Sequence, residues 1–252
     1  MKKIISVILT AALLLTCFAG CGKKSDSLST VTEGKLIMAT NAEFPPYEYY
    51  DGDTVVGIDA EVAKLIADKL GLELEIADID FDSIVPGVQS GKYDIGMAGM
   101  TVNEERLKSI DFTSSYATGV QVVIVKDGGS ITKLDDLEGK KIGVQQVTTG
   151  SVYASDDYGE SNVVNYPNGA VAVEALKSGK VDCVIIDNEP AKSYVAANTG
   201  LKILDTEYVV EDYAICVSKE NTQLKEKVNK ALEELIADGS VKKIVDKYIT
   251  SK

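Results

Sequence analysis

Apolar positions along the chain alternate between two rhythms. Short apolar runs at 35–40, 72–77, 94–98, 121–125, 141–145, 162–166 and 182–186 read as buried strands. Between them lie stretches with apolar residues three and four apart, which read as amphipathic helices. One covers 59–70, with Val62, Leu65, Ile66 and Leu70 on one stripe and Gly71 at its stop. Others cover 83–90, the residues after Thr149, 169–178, 224–236 and 241–248. The alternation predicts parallel sheets covered by helices, an α/β fold.

The pattern repeats itself. Ser90-Gly-Lys-Tyr-Asp94 ends one helix and begins a strand, and Ser178-Gly-Lys-Val-Asp182 does the same 88 residues later. Each copy sets a glycine where a helix end takes a left-handed residue. Similar elements precede both copies, which predicts two similar lobes of about 100 residues within the 252.

Two segments stand outside this rhythm. Residues 1–20 carry Lys2 and Lys3, then an apolar run from Ile4 to Ala19, the pattern of an export signal. That run is short for a membrane span. Phe18-Ala-Gly-Cys21 resembles a bacterial lipobox, which makes Cys21 the expected lipidation site and new N-terminus. Residues 22–33 are polar and Ser/Thr-rich and read as a tether of about 20 Å r.m.s. reach. Loss of residues 1–20 removes two lysines and no acids, so the net charge moves from −13 to −15. Such a chain is a poor partner for nucleic acid or an anionic lipid surface. Attachment is then expected from the lipid alone.

The chain has no histidine, which removes the commonest general base and metal ligand. No metal-ligand spacing and no phosphate-loop pattern G-x-x-x-x-G-K-[ST] occurs, so neither a metal, a cofactor nor ATP hydrolysis is expected. Cys183 and Cys216 each sit in an apolar strand pattern. Buried free thiols are favoured over a bridge between them, although an extracytoplasmic site would allow one.

Polar chemistry gathers at strand ends, where open α/β sheets bind ligands. The first strand ends at Thr40-Asn41, with Phe44 shortly after. The strand at 94–98 empties into Gly99 and Thr101, and a helix capped by Asn103 then carries Arg106. A guanidinium fork there suits a carboxylate. The strand at 141–145 ends in Val147-Thr148-Thr149 at a helix start, where free N–H groups favour an anion. The strand at 182–186 ends in Asp187. If the lobes face each other, one cleft holds an anion site (Arg106, the Thr149 N–H) and a cation site (Asp187, the Thr101 hydroxyl, the Gly99 carbonyl). That is the polarity of a free amino acid.

Thr101-Val-Asn-Glu-Glu-Arg106, Asp111-Phe-Thr-Ser-Ser-Tyr116, Thr40-Asn-Ala-Glu-Phe44-Pro-Pro-Tyr47 and Val184-Ile-Ile-Asp187 together resemble the solute-binding proteins of polar amino-acid ABC transporters. The resemblance covers about residues 34–250. It implies a two-lobed periplasmic-binding-protein-like fold of type II, two doubly wound lobes joined by a two-segment hinge. Lobe 1 would be 34–115 plus 214–252 and lobe 2 would be 120–210, with crossings near 115–119 and 211–213. It implies that Arg106 takes the ligand α-carboxylate with Thr148 and Thr149. Asp187, Gly99 and Thr101 would take the ammonium, and Phe44 and Phe81 would sandwich the side chain. A membrane permease is the implied partner, and the binding protein is expected to be a monomer.

Two residues depart from the family pattern. Many relatives have Gly where this chain has Val147, and a β-branched residue resists positive φ, so the turn is expected to differ. Many relatives with polar or cationic ligands have Asp where this chain has Asn41. The amide ranks neutral polar side chains first, basic second and acidic last. Glu43 is open between a solvated role and one facing a ligand cation. The alternatives are an enzyme on the same fold, resembling the dehydratases of cyclic amino-acid precursors, and a sensor for a membrane receptor.

Overall fold

The computed structural model describes residues 28–249; the signal segment, Cys21 and the first part of the tether lie outside the described residues. In chain order the elements are β1 (Lys35–Thr40), β2 (Glu43–Phe44), β3 (Glu48–Asp51), β4 (Thr54–Val56), α1 (Ile58–Leu70), β5 (Glu73–Asp78), α2 (Ile84–Gln89), β6 (Ile95–Gly96), α3 (Glu104–Ser109) and β7 (Ile110–Lys126). They continue as β8 (Ile142–Gln145), α4 (Thr149–Tyr158), β9 (Val163–Tyr166), α5 (Gly169–Ser178), β10 (Cys183–Asp187), α6 (Asn188–Ala197), β11 (Leu201–Ile203), β12 (Val209–Ser218), α7 (Thr222–Ala237) and α8 (Ser240–Tyr248).

One nine-stranded sheet runs β5-β1-β6-β12-β7-β10-β8-β9, with β11 also on β7. The two lobes are therefore halves of a continuous hydrogen-bonded sheet rather than two separate ones. β7 and β12 are long enough to serve both. Near its start β7 pairs with β12 from Ser218 back to Tyr213, and near its end it pairs with β10. The segments expected as crossings lie in the middle of this ribbon, where Glu211 opposes Gly119 and Tyr213 opposes Ala117. Register shifts flank Ala214, which concentrates twist at that point.

Each lobe has a core on both faces of its half-sheet. In lobe 1, α1 buries Ile58, Val62, Ala63 and Ile66 against α7 and β1, as its apolar stripe requires. In lobe 2, α5 buries Ala172, Val173 and Leu176 against Val184 and Ile186 of β10. Cys183 and Cys216 are free and buried in opposite lobes, and burial raises each thiol to about 12.

The sequence echo has a common structural task. Asp94 Oδ2 accepts the Ile37 N–H in β1 at 2.7 Å, and Asp182 Oδ2 accepts the Lys141 N–H just before β8 at 2.8 Å. Each aspartate fastens the strand it begins to that strand's parallel neighbour. Asp94 Oδ1 also takes the Val31 N–H at 2.8 Å, and Asn221 Nδ2 donates to the Ser29 carbonyl at 2.9 Å. Leu28 packs on the lobe 1 core. Residues 28–33, expected as free tether, are thus fastened to lobe 1 by backbone groups that composition does not mark.

Candidate functional site

The strand ends converge as the switch-point rule requires. One narrow cavity lies between the lobes, lined by Asn41, Phe44, Glu48, Phe81, Ala98, Gly99, Thr101, Arg106, Gln145, Thr148, Thr149 and Asp187. All nine binding residues expected from the sequence line it.

Arg106 is set by the local sequence. Asn103 Oδ1 accepts the Arg106 N–H at 2.8 Å and starts α3. The guanidinium is nearly buried, packs 5.4 Å from the Phe81 ring centroid, and donates from Nη1 to the Thr101 carbonyl at 2.7 Å. Nη2 reaches across the cleft to the Val147 carbonyl at 3.2 Å. Among the described residues no carboxylate pairs with it, and burial pulls its pKa down. A buried cation without a counter-ion is costly, so the cavity favours an anionic group beside Arg106.

The opposite pole is Asp187, the last residue of β10 and the residue before α6. Its side chain makes no cap hydrogen bond. Instead it accepts from Gln121 Nε2 at 2.8 Å and from the Tyr213 hydroxyl. The same Gln121 Nε2 donates to Glu211 at 2.9 Å, and the Tyr153 hydroxyl donates to Glu211 at 3.0 Å. Burial, then the neighbouring Glu211, hold the Asp187 carboxyl well above the usual carboxylate range. A cation in the cavity would relieve that cost.

The walls have separate causes. Gly99 has φ 50, and a Cβ there would come 2.8 Å from the Phe44 ring, so glycine brings this loop against the aromatic wall. Its N–H donates to Asp59 at 2.9 Å. Thr148 caps α4: its hydroxyl accepts the Ser151 N–H at 3.2 Å and donates to the Gln145 carbonyl at 2.7 Å. That hydroxyl is spent on the turn, which leaves the N–H groups at Thr149 for an anion. The expectation of an altered turn at Val147 is corrected. Val147 has φ 61, the left-handed conformation that suits glycine, and its side chain points largely to solvent. The strain, about 1–3 kcal/mol for such a residue, is held by the Thr148 cap on one side and Arg106 on the Val147 carbonyl on the other.

Three cavity residues were not anticipated: Ala98, Gln145 and Glu48. Gln145 ends β8 and donates to Asn41 Oδ1 at 3.0 Å across the cleft. It was within reach of the strand-end argument, because β8 was predicted to stop there. Glu48 is buried in β3; its neighbours Tyr47-Glu48-Tyr49-Tyr50 carry no alternation that marks it as buried. Further contacts across the cleft join Gln146 Nε2 to Asp82 at 2.8 Å and the Tyr194 hydroxyl to the Glu43 carbonyl at 2.7 Å. The lobes are therefore closed on the cavity.

The crossing ribbon is tightly built at Gly119, where a Cβ would overlap the Tyr213 phenol. Gly119→Ala should displace Tyr213 from Asp187 and lower stability by about 1–3 kcal/mol, the usual effect of overpacking. Urea unfolding checks this; a midpoint equal to the parent's would show that Tyr213 has room to move.

A buried cleft with opposed charges and aromatic walls is the arrangement of a protein that captures a small zwitterion. The family of bacterial extracellular solute-binding proteins, family 3, matches residues 36–251, and the chain belongs to it. It is 33% identical to the arginine-binding extracellular protein ArtP of Bacillus subtilis (strain 168), over 98% of this chain and 98% of that one. Among solved structures it resembles an ancestral arginine-binding protein bound to glutamine, at 42% identity and TM-score 0.82 over 87% of this chain and 100% of that one. It also resembles the arginine-, lysine-, histidine-binding protein ArtJ of Geobacillus stearothermophilus, at 33% identity and TM-score 0.82 over 86% and 96%. These relatives are binding proteins. No helix among the described residues is long and apolar enough to cross a membrane.

Proposed function

We propose that the chain captures a free polar amino acid between its lobes and presents it to an ABC transporter permease, as a monomer held at the membrane through acylated Cys21. The observation that carries this reading is the unpaired, buried Arg106 facing the buried Asp187 across one closed cavity. Arg106 and the Thr149 N–H receive the α-carboxylate. Asp187, the Thr101 hydroxyl and the Gly99 carbonyl receive the ammonium. Phe44 and Phe81 flank the side chain, and Asn41 with Gln145 meets its end.

Arginine is the first ligand to try and glutamine the second. Amides and aromatic faces accept both, since a guanidinium stacks well on aromatic rings. A separate surface hollow that shares Asn41 with the cavity is lined by Glu43, Asp78 and Asp80, with Lys92 as its cation. Acidic side chains so close to Asn41 favour a cation nearby, which sets basic ligands ahead of neutral ones in the order to try.

Ligand-induced thermal shift over the twenty amino acids tests the reading, and arginine should give the largest shift. Small-angle scattering should show a smaller radius of gyration with that ligand, because each lobe holds part of the contacts and only the closed form collects both sets. The proposed hinge is the β7–β12 ribbon near 115–119 and 211–213. No shift with any amino acid would overturn the ligand class, and identical scattering curves would overturn closure.

A further inference from the structure

Two buried acids beside the cavity, one of them lining it, are not used by the ligand contacts. Glu48 in β3 is 1% exposed and Asp59 in the first turn of α1 is 0% exposed. The Asp59 N–H donates to the Tyr47 carbonyl at 2.9 Å, which sets Asp59 beside Glu48, the next residue of the chain, and each carboxyl influences the other's ionisation. Asp59 Oδ2 accepts the Gly99 N–H at 2.9 Å and the Tyr116 hydroxyl at 2.8 Å. Among the described residues, no N–H or O–H reaches Asp59 Oδ1 or either oxygen of Glu48. The other titratable groups that face the pair are Tyr47, Asp78, Tyr116, Asp187 and Tyr194, all acids or phenols. Two adjacent carboxylates cannot both stay ionised without water or a base.

We propose that Glu48 and Asp59 share one proton, carried by Glu48 and donated to Asp59 Oδ1, and that this acid pair positions the Gly99 loop for the ligand ammonium. The asymmetry follows from the partners. Asp59 has two donors and sits at the N-terminal end of α1, where the helix dipole favours an anion. Glu48 has neither, so Glu48 is the acid and Asp59 the acceptor. Burial, then Asp59, hold Glu48 well above the usual range, and burial lifts Asp59 to about 6.

One oxygen of Asp59 thereby ties three elements together. It fixes the Gly99 loop through the N–H, and through Tyr116 it fixes the part of β7 that enters the crossing ribbon. Glu48 adds β3 and lines the cavity. The pair presents one negative charge to the site instead of two. Its role toward the ligand rests on the amino-acid reading above; the shared proton does not.

The test uses the full chain with Glu48→Gln, whose amide still donates to Asp59 but does not titrate, and Glu48→Leu, which removes the donor. Without ligand at neutral pH, the infrared difference between parent and Glu48→Gln should contain the carbonyl band of one protonated carboxyl. A difference spectrum without that band overturns the shared proton. Stability against pH gives a second reading. An acid whose folded pKa is raised contributes stability below its unfolded value, about 4.3 for Glu, and loses it as pH rises through the folded value. The parent should therefore lose stability relative to Glu48→Gln as pH climbs from 4 to 9, and a constant gap overturns the proposal. With L-arginine as probe, Glu48→Leu should bind about tenfold more weakly, the worth of one hydrogen bond to a charged group, and Glu48→Gln should recover most of that loss. Equal losses in the two variants overturn the positioning role. If no amino acid binds the parent, the functional reading fails, while the spectrum and the pH profile still decide the shared proton. Should the Leu variant not fold, the Gln variant carries both ligand-free readings.

Discussion

Arg106→Ala should weaken amino-acid binding by about 2–5 kcal/mol, the cost of removing one partner of a buried, hydrogen-bonded charge pair. The geometry explains why the effect should be large and specific to the ligand. The guanidinium has five N–H donors in a rigid fork. Two known bonds, to the Thr101 and Val147 carbonyls, fix its plane, and Phe81 lies against its face. The remaining donors have no carboxylate among the described residues. The free protein therefore bears the desolvation cost of a cation whose counter-ion arrives with the ligand. Removing the charge should cost little unliganded stability, because the lost packing of the stem is offset by the lost desolvation. Isothermal calorimetry and thermal melting together check both halves. An affinity within threefold of the parent would end the carboxylate assignment.

Much of this site was readable because its residues sit at ends of regular elements. β1 was predicted with its observed bounds, as was α5. Arg106 came from a capped helix start and Asp187 from the end of an apolar strand. What escaped had a different physical origin. β7 runs from Ile110 to Lys126 but only 121–125 reads as a strand. Its first part, with Ser114, Ser115 and Thr118, is a ribbon between lobes with irregular exposure and no continuous apolar run. The predicted strand at 94–98 shrinks to Ile95–Gly96, because the following residues leave the sheet to form the ligand loop. The β2–β3–β4 meander (residues 43–56) was missed because Pro45, Pro46 and Gly52 mark turns without showing that the short strands between them pair. Val147 failed in the opposite sense. Propensity argued against a left-handed valine, and the cap at Thr148 together with Arg106 outweighed it. Glu48 and Asp59 were invisible because nothing local distinguishes an acid buried by tertiary packing from one in water.

Asp187→Asn should give a split result, with weaker binding and an unliganded protein no less stable than the parent. The binding loss should be about 1.5–3 kcal/mol, the worth of a hydrogen bond to a charged group, because the amide keeps one acceptor oxygen but loses the charge. The stability half follows from what surrounds the carboxylate. It is buried beside Glu211, and the one side-chain amide of Gln121 serves both acids. Burial, then Glu211, raise its pKa. By linkage, such an acid contributes stability below its unfolded pKa and loses it as pH rises through the folded value. At neutral pH the parent has already lost part or all of that contribution. Asparagine never carries the charge, can still accept from Tyr213, and leaves Gln121 to Glu211. The melting temperature of the unliganded variant should therefore match or exceed the parent's at pH 8, with a smaller advantage at pH 4. Calorimetry with arginine measures the other half. A variant that binds as the parent does would remove Asp187 from the ammonium site. One that melts well below the parent without ligand would make Asp187 a structural node of the β7–β10–β12 junction instead.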